Sequence, residues 1–322
     1  MGRRLPVVTD HTAFVRILNM AAPTLQPGTL INEAGDVIRG FEHQGYITDP
    51  ALATVIFLGI KLGKPVLLEG HAGLGKTEVG KVLAAFLGTR LIRLQCYEGL
   101  DVNSAVYEWN YQKQLLAIKI EEGTGQSVEE KEKHIFSRDF LLERPLLQAI
   151  QAQDASPVLL VDEVDRADEA FEAFLLELLS DFQISIPEMG TIKARHVPCV
   201  VLTSNRSREL SDALKRRCLY HWIEYPSLEK ELKIVAARLP GIAEELNRQA
   251  VSFVHALRNL ALNKSPGVAE TLDWALALMS LGMGMSKDKL DAALVESTLG
   301  CLAKSAEDGA KIRSAGIEQI IG

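Results

Sequence analysis

The sequence predicts an α/β fold: a parallel, five-stranded sheet with flanking helices, followed by an all-α region. Three observations predict it. Five short apolar runs, each about a strand long, lie between Pro65 and Tyr225. Helix-periodic stretches separate several of them, the alternation that builds a mostly parallel sheet. After Pro226 the strand-like runs stop and helical periodicity takes over. The expected units are an N-terminal extension (1–45), an α/β unit (46–226) and a helical lid (227–322).

The elements follow in order. Residues 1 to about 45 are turn-rich around "APTLQPGTL" and read as a loosely packed extension. "DPALATVIFLGIKLG" reads as a helix, with Asp49 as N-cap and Pro50 in its first turn. "PVLLE" is an apolar run of the kind buried on both faces of a sheet. "KTEVGKVLAAFLG" spaces Val79, Val82, Leu83, Phe86 and Leu87 as a helix does, and Gly88 can end it. "RLIRLQ", "PVLLVDE", "PCVVLTSN" and "LYHWIEY" are the other four strands. The charged stretch 121–134 reads as an exposed connection. "YEWNYQ" (107–112) fits either a partner-binding or pore insertion or a packed helix. "SLEKELKIVAARL", "IAEELNRQAVSFVHALRNLAL", "GVAETLDWALALMSLG" and "KDKLDAALVESTLGCLA" are the helices of the last region.

Bulk properties narrow the class. The chain has 322 residues, 47% hydrophobic and 24% charged, which suits a soluble protein with a large core. A net charge of -7 gives no global attraction to nucleic acid or an anionic membrane. The aromatics of "CLYHWIEY" near basic residues fit a strand with one buried face as well as a nucleic-acid surface. The longest apolar runs are too short to span a bilayer, and no signal peptide is evident, so a cytoplasmic location is expected. Cys96, Cys199, Cys218 and Cys301 lie far apart, which suits reduced thiols rather than a zinc or redox motif.

The chemistry concentrates at three strand ends. "GHAGLGKT", Gly70, His71, Ala72, Gly73, Leu74, Gly75, Lys76 and Thr77, fits G-x-x-x-x-G-K-[ST] between a strand and a helix. Glycines let backbone N–H groups close around phosphate oxygens. Lys76 brings a point charge to the β/γ-phosphates, and the Thr77 hydroxyl can ligate Mg²⁺. The loop binds through backbone, so the His71 side chain is expected to be incidental. "VLLVDE" ends in Asp162, placed to hold Mg²⁺, and Glu163, placed to polarise an attacking water. Asp165 just after them suits a helix start as well as a catalytic role. "VVLTSN" ends in Asn205, which either bonds a γ-phosphate or the attacking water or merely turns the chain. "ALKRRC" places Arg216 and Arg217 before the last strand. Beside an ATP site these arginines suit the γ-phosphate of a neighbouring copy. Arg217 is slightly preferred because it directly precedes the strand.

In this order the motifs resemble a P-loop NTPase of the AAA+ class. "FLLELLSDFQISIPEMGTIKARHVPCVVLTSN" is similar to the MoxR branch, with "IPEMGTI" as an inserted hairpin. "YEGLDVNSAVYEWNYQKQLL" and "ALKRRCLYHWIEYP" look like its CoxD-like subgroup, accessory to carbon monoxide dehydrogenase. The resemblance covers residues 46 to about 310. It implies ATP and Mg²⁺ as cofactors, a homo-hexamer with sites between subunits, a von Willebrand factor A partner and a metalloenzyme client. By position it makes Asn205 the first sensor and Arg216 or Arg217 the arginine finger. It departs at the second sensor, where Gly267 stands in place of an arginine, with Lys264 just upstream. A nucleotide-gated scaffold with slow hydrolysis and, more weakly, a nucleic-acid motor are the alternatives.

Overall fold

The computed structural model describes residues 31–121, 127–282 and 290–321. Nine strands form among the described residues: β1 (Val66–Gly70), β2 (Leu91–Gln95), β3 (Tyr107–Trp109), β4 (Leu141–Glu143), β5 (Val158–Asp162), β6 (Gln183–Ile186), β7 (Gly190–Lys193), β8 (Cys199–Ser204) and β9 (Leu219–Ile223). Five of them make the predicted parallel sheet, in the order β2-β5-β8-β1-β9. Helices flank the sheet and a helical region follows it, as the sequence predicts.

The alternation along the strands explains the layers. Leu67, Leu159, Val161, Val200 and Leu202 face one core, which packs on the helices Pro145–Ile150 and Glu169–Asp181. Val66, Leu68, Val158, Leu160 and Val201 face the other, against Pro50–Leu62 and Lys76–Leu87. A strand buried on both faces needs both residue sets apolar, which is why these runs lack a polar face. Asp49 caps its helix by accepting the Leu52 N–H at 2.8 Å, and Pro50 follows it.

Residues 31–43 do not match the expected loose extension; residues 1–30 of that segment lie outside the described residues. Ala34–His43 is a helix whose Val37 and Phe41 are fully buried in the second core. Phe41 meets Tyr46 and Phe86 edge-on, at 5.7 and 6.1 Å between ring centroids. Ala34, Val37, Ile38 and Phe41 stand at helical spacing on one face, and the packing of that face on the second core holds this short helix.

Between β2 and β5 lies an insertion in which β3 and β4 pair antiparallel. It carries the helices Tyr111–Ile120 and Val128–Ile135. Trp109 of "YEWNYQ" is buried, edge-on to Phe136 at 5.3 Å, whereas Tyr111 is exposed. Of the 121–134 stretch, residues 127–134 are mostly exposed, as expected, yet Val128–Ile135 is helical, opened by a Ser127–Glu130 capping box. Residues 122–126 fall outside the described part. "IPEMGTI" does form a hairpin, between β6 and β7.

The helical region has its own core around Trp274, whose indole N–H donates to Thr298 Oγ1 at 2.8 Å. Among the described residues, no helix is long and apolar enough to cross a membrane.

Candidate active site

The C-terminal ends of β1, β5 and β8 bring the three motifs to one edge of the sheet, where open α/β sheets place ligands. A cavity of about 340 Å³ lies there, lined by Gly45, Tyr46 and Ile47, the phosphate loop, Asp162, Glu163 and Asn205. The helical region closes it with Ile234, Val268 and Leu272.

The loop takes its shape from glycine. Gly73 and Gly75 adopt φ of 77° and 81°, the left-handed region a Cβ disfavours. The chain then enters the helix Lys76–Leu87, whose first amides face the loop. Lys76 is 5% exposed, and its ammonium donates to the Gly70 and His71 carbonyls at 2.7 and 2.6 Å. Burial pushes its pKa down to about 8, against the attraction of Asp165, Asp162, Glu163 and Glu69.

Asp162 is almost wholly enclosed. Its Oδ1 accepts from the Thr77 hydroxyl at 2.9 Å and the Thr203 hydroxyl at 2.5 Å. Thr77, donating its proton there, keeps its oxygen lone pairs for a cation. A hydroxyl and a carboxylate are the hard oxygen donors that Mg²⁺ takes beside nucleotide phosphates, so these residues fit the ion. No all-protein cage competes: among the described residues no cluster of three or more His, Cys, Asp or Glu side chains is placed to hold a metal.

Glu163 sits in a strained backbone, φ 55° and ψ 49°, a region costing about 1–3 kcal/mol outside glycine. Its N–H donates to Thr203 Oγ1 at 2.9 Å, which fixes the turn. Its carboxylate is engaged on both oxygens: Asn205 Nδ2 at 3.3 Å on Oε1, and Gln95 Nε2 and Arg166 Nε, each at 3.0 Å, on Oε2. Asn205 therefore lies beside Glu163 at the same edge of the sheet.

Asp165 turns out to be a brace. Buried, it accepts the N–H groups of Asn205 (3.2 Å) and Ser207 (2.7 Å) and the Ser207 hydroxyl (2.7 Å), and so holds the turn after β8. His71 is not incidental either. Its ring stacks on Tyr225 at 5.3 Å and meets Trp222 edge-on at 5.8 Å. Arg206 lies over Trp222 at 5.7 Å, and Arg258 over Tyr225 at 4.9 Å. Arg258 in turn pairs with the buried Glu231 and donates to the Pro266 carbonyl at 2.8 Å. Sequence reading missed this chain of contacts because its members are scattered from 71 to 258.

Gly267, at the second-sensor position, packs directly on the loop. A Cβ there would lie 2.9 Å from the Ala72 carbonyl oxygen and 3.0 Å from Gly73. Ala269 N–H donates to the Gly73 carbonyl at 3.0 Å. A side chain at 267 would have to displace the phosphate loop. Lys264 is exposed, with its N–H tied to Asp308 at 3.1 Å, and does not line the cavity.

Arg216 and Arg217 end the helix Asp212–Arg217, capped by Ser211. Arg217 donates to the Leu176 carbonyl at 2.6 Å. Arg216 is exposed and makes no hydrogen bond or ion pair among the described residues.

The family profile of the AAA domain (dynein-related subfamily) matches residues 65–218. Residues 65–218 are an AAA domain. The matched span of this AAA domain runs from the residue before β1 to the one before β9, and so contains all three strand-end motifs. Similar solved structures include Thermotoga maritima RuvB, a Holliday junction branch migration motor, at 18% identity and TM-score 0.42, covering 84% of this chain and 71% of that one. Two point mutants of it are also similar at 18% identity and TM-score 0.45, one covering 87% of this chain and 73% of its own, the other 85% and 71%. No curated protein matches the chain.

Proposed function

We propose that the chain is a Mg²⁺-dependent ATPase whose turnover remodels a protein client. The observation that carries this is the convergence of Lys76, Thr77, Asp162, Glu163 and Asn205 on one cavity, within an AAA domain. The loop amides and Lys76 bind the phosphates. Thr77 and Asp162 would hold Mg²⁺, which when bound offsets phosphate charge. Glu163 takes the proton of the attacking water, and Asn205 orients it. Cationic charge at the γ-phosphate is completed in trans by Arg216, which makes no hydrogen bond or ion pair among the described residues. That freedom turns the preference from Arg217 to Arg216.

The similarity to the MoxR branch, with its hairpin between β6 and β7, supports the finer reading. In it the chain works as a homo-hexamer with a von Willebrand factor A partner on a metalloenzyme, of the molybdenum-hydroxylase type.

Glu163→Gln tests the chemistry. It should keep ATP binding and lose hydrolysis by about 10²–10⁴-fold, the worth of a general base. Full hydrolysis in that variant would sink the assignment. One observation favours a second reading, a nucleotide-gated scaffold: both Glu163 oxygens are already engaged, which slows hydrolysis until they are released. Client maturation that survives in Glu163→Gln would select the scaffold.

A further inference from the structure

The buried Asp162 carboxylate has a counter-ion that the ATPase reading does not use. Lys76 does not fill that role, since its ammonium donates to two backbone carbonyls. Arg93 does. Its Nε and Nη2 lie 3.1 and 2.5 Å from Asp162 Oδ2, so every oxygen of this carboxylate is engaged. The Asp162 side chain is 2% exposed and the Arg93 side chain 46%, so the arginine reaches inward from the sheet edge while keeping contact with water. The parallel register of β2 and β5 sets Arg93 opposite Leu160 and Gln95 opposite Asp162, and both polar residues lie on the exposed side of β2. Arg93 also donates to Gln95, the residue that engages Glu163.

A carboxylate this buried is costly to keep ionised without a partner. A guanidinium on Oδ2 supplies one, but it also opposes a second cation at the same carboxylate. The geometry points to Arg93 as a positioning residue that stands in for the metal: it holds the Asp162 carboxylate in place through Oδ2, and it yields that oxygen when Mg²⁺ binds. The inference rests on the nucleotide-site reading and adds a built-in competitor for the ion. Arg93 thereby sets how much Mg²⁺ the site needs before it is competent.

The test titrates Mg²⁺ into the full chain saturated with a non-hydrolysable ATP analogue, reading the melting temperature. Arg93→Gln should lower the Mg²⁺ midpoint by about tenfold, because a unit charge a few Å from the ion has gone. It should also melt lower than wild type only when metal is absent. Arg93→Lys, which keeps the charge without the planar fork, should fall between the two. An unmoved or raised midpoint in Arg93→Gln, or an equal loss of melting temperature with and without Mg²⁺, overturns the role of Arg93. If Arg93→Gln does not fold, the Arg93→Lys midpoint decides: a value at or above wild type overturns the role. A wild-type chain that does not bind the analogue overturns the nucleotide reading and this one with it.

Discussion

Lys76 shows how far burial alone can tune a site. Its ammonium is enclosed with only carbonyl partners, and its pKa falls from 10.5 to about 8. The unfolded chain holds that proton to the higher value. The desolvation cost is therefore present below pH 8 and is relieved as pH rises from about 8 to 10.5, so this residue adds stability across that window. Phosphate oxygens reverse its surroundings and favour the charged form. Binding a non-hydrolysable ATP analogue near pH 9 should thus take up a substantial fraction of a proton. Calorimetry in buffers of different ionisation enthalpy measures it, and zero uptake would mean that the lysine stays charged in the empty site. The same scale sets the limit of sequence reading. Lys76, Thr77, Asp162, Glu163 and Asn205 were legible because each stands at a fixed offset from an apolar strand. Arg93 was not. Its partner lies 69 residues away, and only the β2–β5 register brings them together.

The element from Ser211 to Ile223 joins a capped helix to the edge strand β9 and puts its two arginines to different uses. Arg217→Ala removes a hydrogen bond to the Leu176 carbonyl and should cost about 1 kcal/mol of stability with modest effect on rate. Arg216→Ala should fold normally and hydrolyse ATP poorly, by several orders of magnitude if it acts in trans. Mixing Arg216→Ala with Glu163→Gln chains should recover activity, since each supplies what the other lacks at a shared site. A mixture no better than its parts would remove the trans role. The sheet itself was legible because strands buried on both faces read as unbroken apolar runs. The Ala34–His43 helix was overlooked although Ala34, Val37, Ile38 and Phe41 carry the helical spacing, because it follows the turn-rich "APTLQPGTL" and starts without a Ser, Thr, Asp or Asn cap; Glu33 and Asp36 form its capping box instead. The helix Val128–Ile135 was missed for another reason. It buries nothing, so its Ser127–Glu130 box had no apolar face beside it to draw notice.

Across the whole molecule, two of the routes by which the helical region meets the α/β unit run through the phosphate loop. One is the ring chain from Arg206 through Trp222, His71 and Tyr225 to Arg258. His71→Ala should lower stability by about 1 kcal/mol, the worth of an aromatic pair, while leaving analogue affinity close to wild type. Denaturant midpoints and equilibrium binding check both halves, and a large loss of affinity would show that the imidazole itself touches nucleotide. The other route is backbone on backbone. Gly267 rests on the phosphate loop, and the Ala269 amide is bonded to the Gly73 carbonyl. The seat that cradles the phosphates is thus stitched to the part of the chain that roofs it. An outward swing of the helix Val268–Ser280 must either break that stitch or pull the seat open with it. Opening and letting go of the ligand then become one motion, with no separate signal needed to join them.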